Sequence, residues 1–423
     1  ITTDDGYVGM IHPHTFMFIK TFEDVRKYLI EHTHIDIMVD YGLDRVNLFG
    51  PGILLDATWY VLSKKKKETP GTYFNITANQ QEKTKKASLE QAYEDILKNR
   101  SNPRLYTLPQ EKLKIIEGWP FIYWISDGFR EKFKGKVMDD YFYICNGISS
   151  GGNNERFYRY LWEVDKDTIS FDYKIDKKKW VRINKGGGFN KWYGNLWLLF
   201  EWAENGKQLK ELKNSVPSVR YGYEEFYFEE GLAFTGASSK GLSVRYQPKN
   251  CIFERAGKSI FKKEDSVDYL LALSILNSSL CGYIIDALNP TVSFQSGDIE
   301  RIPIILPEII IEEKIIRFAK ENVIIKENLC DYRLIELNYT HSPLLAFQGI
   351  ALKERVLAYL NYENVQLTQV LINEAIINEL IFEVYELSDA DREQVEAKMG
   401  KSIGSLPVST EAKDAFLSQL ENP

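Results

Sequence analysis

The chain has 423 residues, of which 44% are hydrophobic and 27% charged, with a formal net charge of −7. At roughly 100–200 residues per domain, this length predicts two to four domains with ample core. No apolar run reaches the ~18 residues of a membrane helix, and Cys145, Cys251, Cys281 and Cys330 lack CxxC spacing, which argues against a membrane span, a zinc module and a disulfide framework and fits a cytoplasmic protein.

"ITTDDGYVGMIHPHTFMF" opens on Ile1 and lacks the charged and apolar regions of a signal peptide. The chain is expected to start inside a larger protein. "GYVGMIHP" reads as a short buried strand, and "TFEDVRKYLIEHTH" as a helix capped by Thr21. "IDIMVDYG" and "LLDATWYVLSKK" are strand-like again, so residues 1–68 read as the closing part of an α/β sheet. The Lys64–Lys67 run and Pro70–Gly71 mark a boundary, and 69–115 reads as a linker holding the helix "ASLEQAYEDILKNR". From about Trp119 to 255 aromatics and glycines become dense, which predicts an irregular α+β or mostly β domain. "SVDYLLALSILNSSLCGYIIDAL" is a helix or helix pair, and "NPTVSFQSGDIERIPIILP" a loop leading into a strand. The boundaries follow as 116–308 for the middle domain and 309–423 for a helical tail; the fold class is multidomain α+β.

The global charge hides segregation. Residues 311–423 hold 11 basic and 19 acidic side chains, while 173–191 hold seven basic and one acidic. Two GKS tripeptides invite a phosphate-loop reading, but the glycine required five residues before Gly257 and Gly400 is Ile252 and Val395, so neither qualifies. His12, His14, His32 and His34 form two HxH pairs with no cysteine or carboxylate at ligand spacing, and read as strand-edge or surface histidines. Nucleophile elbows and a distinctive carboxylate pair are absent from the sequence, so no catalytic residue and no metal ligand is assigned.

Four glycine-bearing polar stretches remain: "NGISSGGNNERFYR" (146–159), "KKKWVRINKGGGFNKWYGN" (177–195), "SVRYGYEEFYFEEGLAFTGASSKGLSVRY" (218–246) and "NPTVSFQSGD" (289–298). Each combines backbone freedom with Asn, Ser, Arg, Lys or Gln, the groups that approach phosphates and read base edges. Taken singly, each is equally a turn in an aromatic β-rich core. Together they point to nucleic acid.

In this order, these stretches resemble the PglX-type adenine-specific DNA methyltransferases of BREX phage-defence systems, related to the methyltransferase–specificity fusions of restriction–modification. The ending "INELIFEVYELSDADREQVEAKMGKSIGSLPV" is similar to that family as well. The resemblance implies a methyltransferase portion at 1–68, a target recognition domain at 116–308 and a helical tail. The family's Asn-Pro-Pro-Tyr motif is missing; "NPTV" at 289–292 lacks its second proline and aromatic. The S-adenosylmethionine site is missing too. The resemblance therefore assigns that cofactor to the parent protein and none to this chain.

The expected partner is double-stranded DNA. Lys177, Lys178, Lys179, Arg182, Lys185 and Lys191 are expected to contact phosphates, with Gly186, Gly187 and Gly188 allowing close backbone approach. Asn153, Asn154, Arg156, Asn190, Ser238, Ser239, Lys240 and Gln295 are candidates for polar contacts. Trp192 and Tyr193 are expected to pack on sugar or stack on an unpaired base. Rival readings are a stand-alone DNA-specificity subunit, a scaffold docking other defence-system proteins through the acidic tail, and a carbohydrate-active enzyme.

Overall fold

The computed structural model describes residues 3–44, 55–77, 82–264, 267–403 and 410–421. The chain forms two compact units, Ile1–Gly135 with Ala287–Pro290, and Lys136–Asp286 with Thr291–Pro423.

The first unit runs β1 (Tyr7–Pro13), α1 (Glu23–His32), β2 (His34–Asp44), β3 (Leu55–Ser63), β4 (Gly71–Asn75), α2 (Glu82–Leu97) and β5 (Leu105–Leu108). Its sheet has the order β1-β3-β2-β4-β5. Because β3 is antiparallel to both neighbours, β1 and β2 are parallel; β2 also pairs parallel with β4, and β4 antiparallel with β5. Ile35, Met38 and Val39 of β2 are buried, as an apolar run in a central strand requires. Gln110 ties this layer together. Its side-chain nitrogen donates to the Ile30 and Thr33 carbonyls at 2.8 and 2.7 Å, and its oxygen accepts from the Ile35 amide at 2.9 Å.

Four sequence expectations change here. β1 forms, but as an edge strand with Tyr7, Val8, Met10 and Ile11 exposed rather than buried. Thr21 does not cap α1; the chain enters through a single 3₁₀ turn, and Phe22 stands at the cap position without a side-chain bond. The region read as a linker contributes β4 and β5 to the sheet. His14 is not a surface histidine: it is buried, with Nδ1 3.1 Å from Asp40 Oδ1.

The second unit contains β6 (Phe142–Cys145), β7 (Ser149–Ser150), β8 (Tyr158–Arg159), β9 (Trp180–Asn184), β10 (Leu198–Glu201), α3 (Ala203–Leu212), β11 (Val219–Arg220), β12 (Gly231–Thr235), β13 (Val244–Gln247), β14 (Cys251–Phe253) and β15 (Gly257–Lys262). These make three sheets, β14-β9-β10-β8, β13-β12-β15-β6 and the pair β11-β7. Phe157, Val181, Ile183, Phe200, Trp202, Ile252, Phe253 and Phe261 fill the core, so the aromatic density of this region is mostly interior packing. The helices α4 (Tyr269–Asn277) and α5 (Ser279–Leu288) follow, bent by 66°. No single helix among the described residues is long and apolar enough to cross a membrane.

The strand expected near residue 302 does not form. Helix Ser296–Glu300 is followed by chain carrying Pro303 and Pro307, which cannot donate ladder bonds, and one isolated bridge joins Pro303 to Val137. The tail is helical as expected, with α6 (Ile309–Cys330), α7 (Leu352–Val384), α8 (Asp389–Met399) and α9 (Thr410–Glu421). It belongs to the same compact unit as the sheets.

Candidate nucleic-acid interface

The four polar stretches meet through backbone pairings. Ser150 of the first pairs with Val219 of the third, in β7 and β11. Trp192 of the second bridges Arg245 of the third, and Ala237 of the third bridges Ser293 of the fourth. Asn146 of the first donates to Ser296 Oγ of the fourth at 3.2 Å. Lys185 of the second places its Nζ 3.7 Å from the centroid of the Tyr158 ring of the first.

Gly187, Gly188 and Phe189 form the exposed tip of the second stretch. The post on one side is Gly186, at φ +84°, where a Cβ would lie 2.8 Å from the Ala256 carbonyl oxygen. Only glycine fits there without displacement. The post on the other side is Asn190. Its amide donates to Ser243 Oγ at 3.3 Å and its side chain to the Tyr193 carbonyl at 2.9 Å. Beneath the loop, buried Asn184 donates to the Gly257 carbonyl at 3.0 Å, while Ser259 Oγ donates to Gln247 Oε1 at 2.7 Å. These bonds tie the strand beneath the loop to its neighbours, although the buried Gln247 Nε2 finds no partner among the described residues.

The flanks of the loop are basic. Lys185 edges a cleft of about 660 Å³ with Glu155, Arg159, Tyr160, Glu163 and Trp197. Lys240 and Phe189 share a second groove of about 430 Å³ on the other side. Lys179 and Lys185 sit at opposite ends of β9 with Val181 and Ile183 buried between them; six extended residues at ~3.3 Å each separate them by ~20 Å. Lys177 is exposed, its Nζ 4.8 Å from the Tyr173 ring centroid, and Lys179 lies over Trp180 at 5.2 Å. Arg182 lies on the face of β9 opposite Val181 and Ile183 and is half-buried, as is Lys178 ahead of the strand.

Several expected contacts prove to be internal. Trp192 and Tyr193 are 1% and 2% exposed, so they cannot stack on a base in this structure. The Trp192 indole donates to Glu374 Oε1 at 2.6 Å, and Tyr193 OH accepts from Asn338 at 3.1 Å. Lys191 donates to the Asn277 carbonyl at 2.9 Å and lies 3.9 Å from Glu374. These three residues sit next to the glycines because they anchor the turn, which consumes the groups that DNA would need.

The other candidates are more open. Asn154 and Arg156 are exposed, with Asn154 Oδ1 accepting from Ser150 Oγ at 2.7 Å and Arg156 donating to Gln208 at 3.0 Å. Asn153 is half-buried and donates to the Ser150 carbonyl at 3.0 Å. Ser239 and Lys240 are exposed, and Ser238 Oγ accepts from the Lys240 amide at 3.2 Å. Gln295 is exposed; its side chain donates to Ser293 Oγ at 2.8 Å and accepts from Lys258 at 3.4 Å.

Electrostatics beneath the surface differ from the balance in sequence. Burial pushes the Arg245 guanidinium down to about 10, with Glu336 opposing the shift. Burial raises the Glu254 carboxyl, and Lys185 and Tyr158 hold it partly back. Burial likewise raises Glu201, against the pull of Lys179. The four cysteines are buried and free, and burial pushes each thiol up to about 12, away from reactivity.

The residues missed in sequence are Glu336, Glu374, Asn338 and Asn277, which hold the turn from 86–182 positions away. Arg159 and Phe189, within the first and second polar stretches, line the two clefts beside the loop.

The fold is one found among restriction–modification enzymes. The Type IIL enzyme MmeI, solved in complex with DNA, superposes with a TM-score of 0.53 at 9% identity, over 98% of this chain and 50% of that one. In sequence, the chain is similar to the adenine-specific methyltransferase PglX of Lacticaseibacillus casei (strain Zhang), 26% identical over 410 residues, which cover 92% of this chain and 33% of that protein. It is also similar to the adenine-specific methyltransferase BrxX of Escherichia coli O9:H4 (strain HS), 26% identical over 305 residues, which cover 71% of this chain and 24% of that protein. No family model matches. The chain spans about a third and a quarter of the length of these curated relatives and corresponds to their C-terminal part. The resemblance to PglX-type adenine-specific methyltransferases read from the sequence is the one these comparisons find.

Proposed function

We propose that this chain is the DNA target recognition part of an adenine-specific, S-adenosylmethionine-dependent methyltransferase of a phage-defence or restriction–modification system. The observation that carries the reading is the pairing of the four glycine-bearing stretches with one another, one of which carries the exposed Gly187–Phe189 loop, with Lys185 beside it and Lys240 lining the same groove as Phe189. An exposed glycine backbone approaches a phosphate closely, and lysines beside it supply sequence-independent affinity. Asn154, Arg156, Ser239 and Gln295 are the polar side chains left to read base edges. MmeI, whose fold this chain shares, was solved bound to DNA, which supports the same partner here.

In this reading, residues 1–68 close the methyltransferase sheet and 309–423 form the helical tail. The residues present do not fit the cofactor. The family's Asn-Pro-Pro-Tyr motif and a glycine-rich cofactor loop are both missing from the sequence, and "NPTV" at 289–292 lacks the second proline and the aromatic. S-adenosylmethionine and the adenine-binding motif are therefore assigned to the rest of the parent enzyme, and no step of methyl transfer is derived for these residues.

The test is selection from a randomised duplex library at low salt, followed by sequencing of the bound fraction. One short asymmetric motif should be enriched. Absence of both low-salt binding and enrichment would overturn the proposal.

A further inference from the structure

The acidic tail is the part of the chain that DNA binding leaves unexplained. Its carboxylates should repel phosphates, yet two of them face inward at the recognition loop. We infer that Glu336 and Glu374 are positioning residues that preset the Gly187–Phe189 loop for sequence discrimination, an inference that rests on the DNA-facing reading of that loop.

The turn after the loop is strained. Gly186, Gly187, Trp192, Gly194 and Asn195 have φ of +84°, +112°, +73°, +117° and +62°. For tryptophan this is unfavourable backbone, which persists only where the surroundings over-determine it, while asparagine adopts it more readily. Glu336 supplies much of that constraint. Its Oε1 accepts from the Asn195 amide and its Oε2 from the Leu196 amide, each at 3.0 Å. The Leu337 amide then donates back to the Leu196 carbonyl at 3.0 Å. A bidentate carboxylate on consecutive amides fixes both position and tilt of the peptide planes. Glu336 is buried, and the two backbone amides on its carboxylate supply the charge-assisted hydrogen bonds that a buried carboxylate requires.

Glu374 works one turn earlier. It accepts from the Trp192 indole at 2.6 Å and lies 3.9 Å from Lys191 Nζ. The Trp192 amide and carbonyl are paired to β13, donating to the Val244 carbonyl at 3.0 Å and accepting from the Tyr246 amide at 2.7 Å. The indole is therefore locked at both its backbone and its ring. Three exposed residues, Gly187, Gly188 and Phe189, are left between fixed posts. Such a loop meets DNA without first losing conformational freedom, so its contacts are realised as discrimination.

The experiment uses the full chain and three variants: Glu336→Gln, Glu374→Gln, and the exposed Glu393→Gln as a control that removes the same charge elsewhere on the tail. Glu336→Gln turns one acceptor into a donor facing an amide. Exchange of the Asn195 and Leu196 amides should rise about tenfold or more, with β10 unaffected. Motif enrichment from a randomised duplex library should fall about tenfold, while affinity for unselected duplex follows the Glu393→Gln control. A merely structural brace would lower both kinds of binding together. Should Glu336→Gln fail to fold, Glu374→Gln and Asn338→Ala carry the same comparison. Unchanged amide exchange, or enrichment that survives substitutions which do loosen the turn, overturns the inference alone. A wild-type chain that enriches no motif overturns the DNA reading and the inference with it.

Discussion

Lysines that look equivalent in sequence should separate in their salt dependence. Lys177, Lys179 and Lys185 are the proposed phosphate contacts, while Lys191, six residues beyond Lys185, is bonded to the Asn277 carbonyl and lies 3.9 Å from Glu374. Each phosphate contact contributes ~0.9 to the slope of log K against log salt. Between about 50 and 200 mM salt, a fourfold change, one contact accounts for a loss of about 3.5-fold in affinity, and three for about 40-fold. The triple Lys177→Ala, Lys179→Ala, Lys185→Ala variant should therefore flatten the slope by about 2.7. Lys191→Ala should leave the slope unchanged and lower thermal stability instead, because it removes a donor and a countercharge from a packed turn. Fluorescence anisotropy on one unselected duplex across a salt series reads both. If Lys191→Ala flattens the slope as much as Lys185→Ala does, or the triple variant does not flatten it, the division between surface and anchoring lysines is wrong.

Three further outcomes follow from local geometry. Trp192→Phe keeps most of the ring but deletes the donor to Glu374; urea denaturation should show a loss of about 1.5–3 kcal/mol, and Trp192→Ala about 3–5 kcal/mol. Gly186→Ala should destabilise by at least about 1–2 kcal/mol, because φ is +84° and its Cβ would meet the Ala256 carbonyl, whereas Gly188→Ala, facing open space, should stay within about 0.5 kcal/mol. Burial raises the Glu201 carboxyl, so the folded state binds its proton more tightly than the unfolded state, and this group's contribution to stability falls as pH rises from 4.5 through the raised value. Glu201→Gln should then raise Tm at pH 7 and change it little at pH 4; an equal gain at both would refute the sign.

The stretches that meet at the interface were legible because glycine, lysine and asparagine carry local conformational and chemical signals. The helical tail was legible from its periodicity, and the strand–helix–strand–strand order of residues 7–63 from alternation. What failed was whatever depended on a neighbour distant in sequence. Trp192 and Tyr193 look like stacking platforms until Glu374 and Asn338 arrive to bond them. β1 reads as buried because its residues are apolar, and only the pairing order reveals an edge. The tail's acidity raised a docking role for the whole tail, since nothing in the local pattern separates Glu336, with two amides on its carboxylate, from exposed Glu393.

The Glu336 and Glu374 contacts span 141 and 182 positions of the chain. At about 5–20 residues per second, synthesis takes roughly 9–36 s to travel from Trp192 to Glu374. During that interval β9 gains its ladder partners β10 and β14, then Glu336 is made, and Glu374 comes last. The turn around Trp192 and Asn195 is thus completed only when the C-terminal helices have been made, and the order of the residues makes its fixed geometry a late product of synthesis.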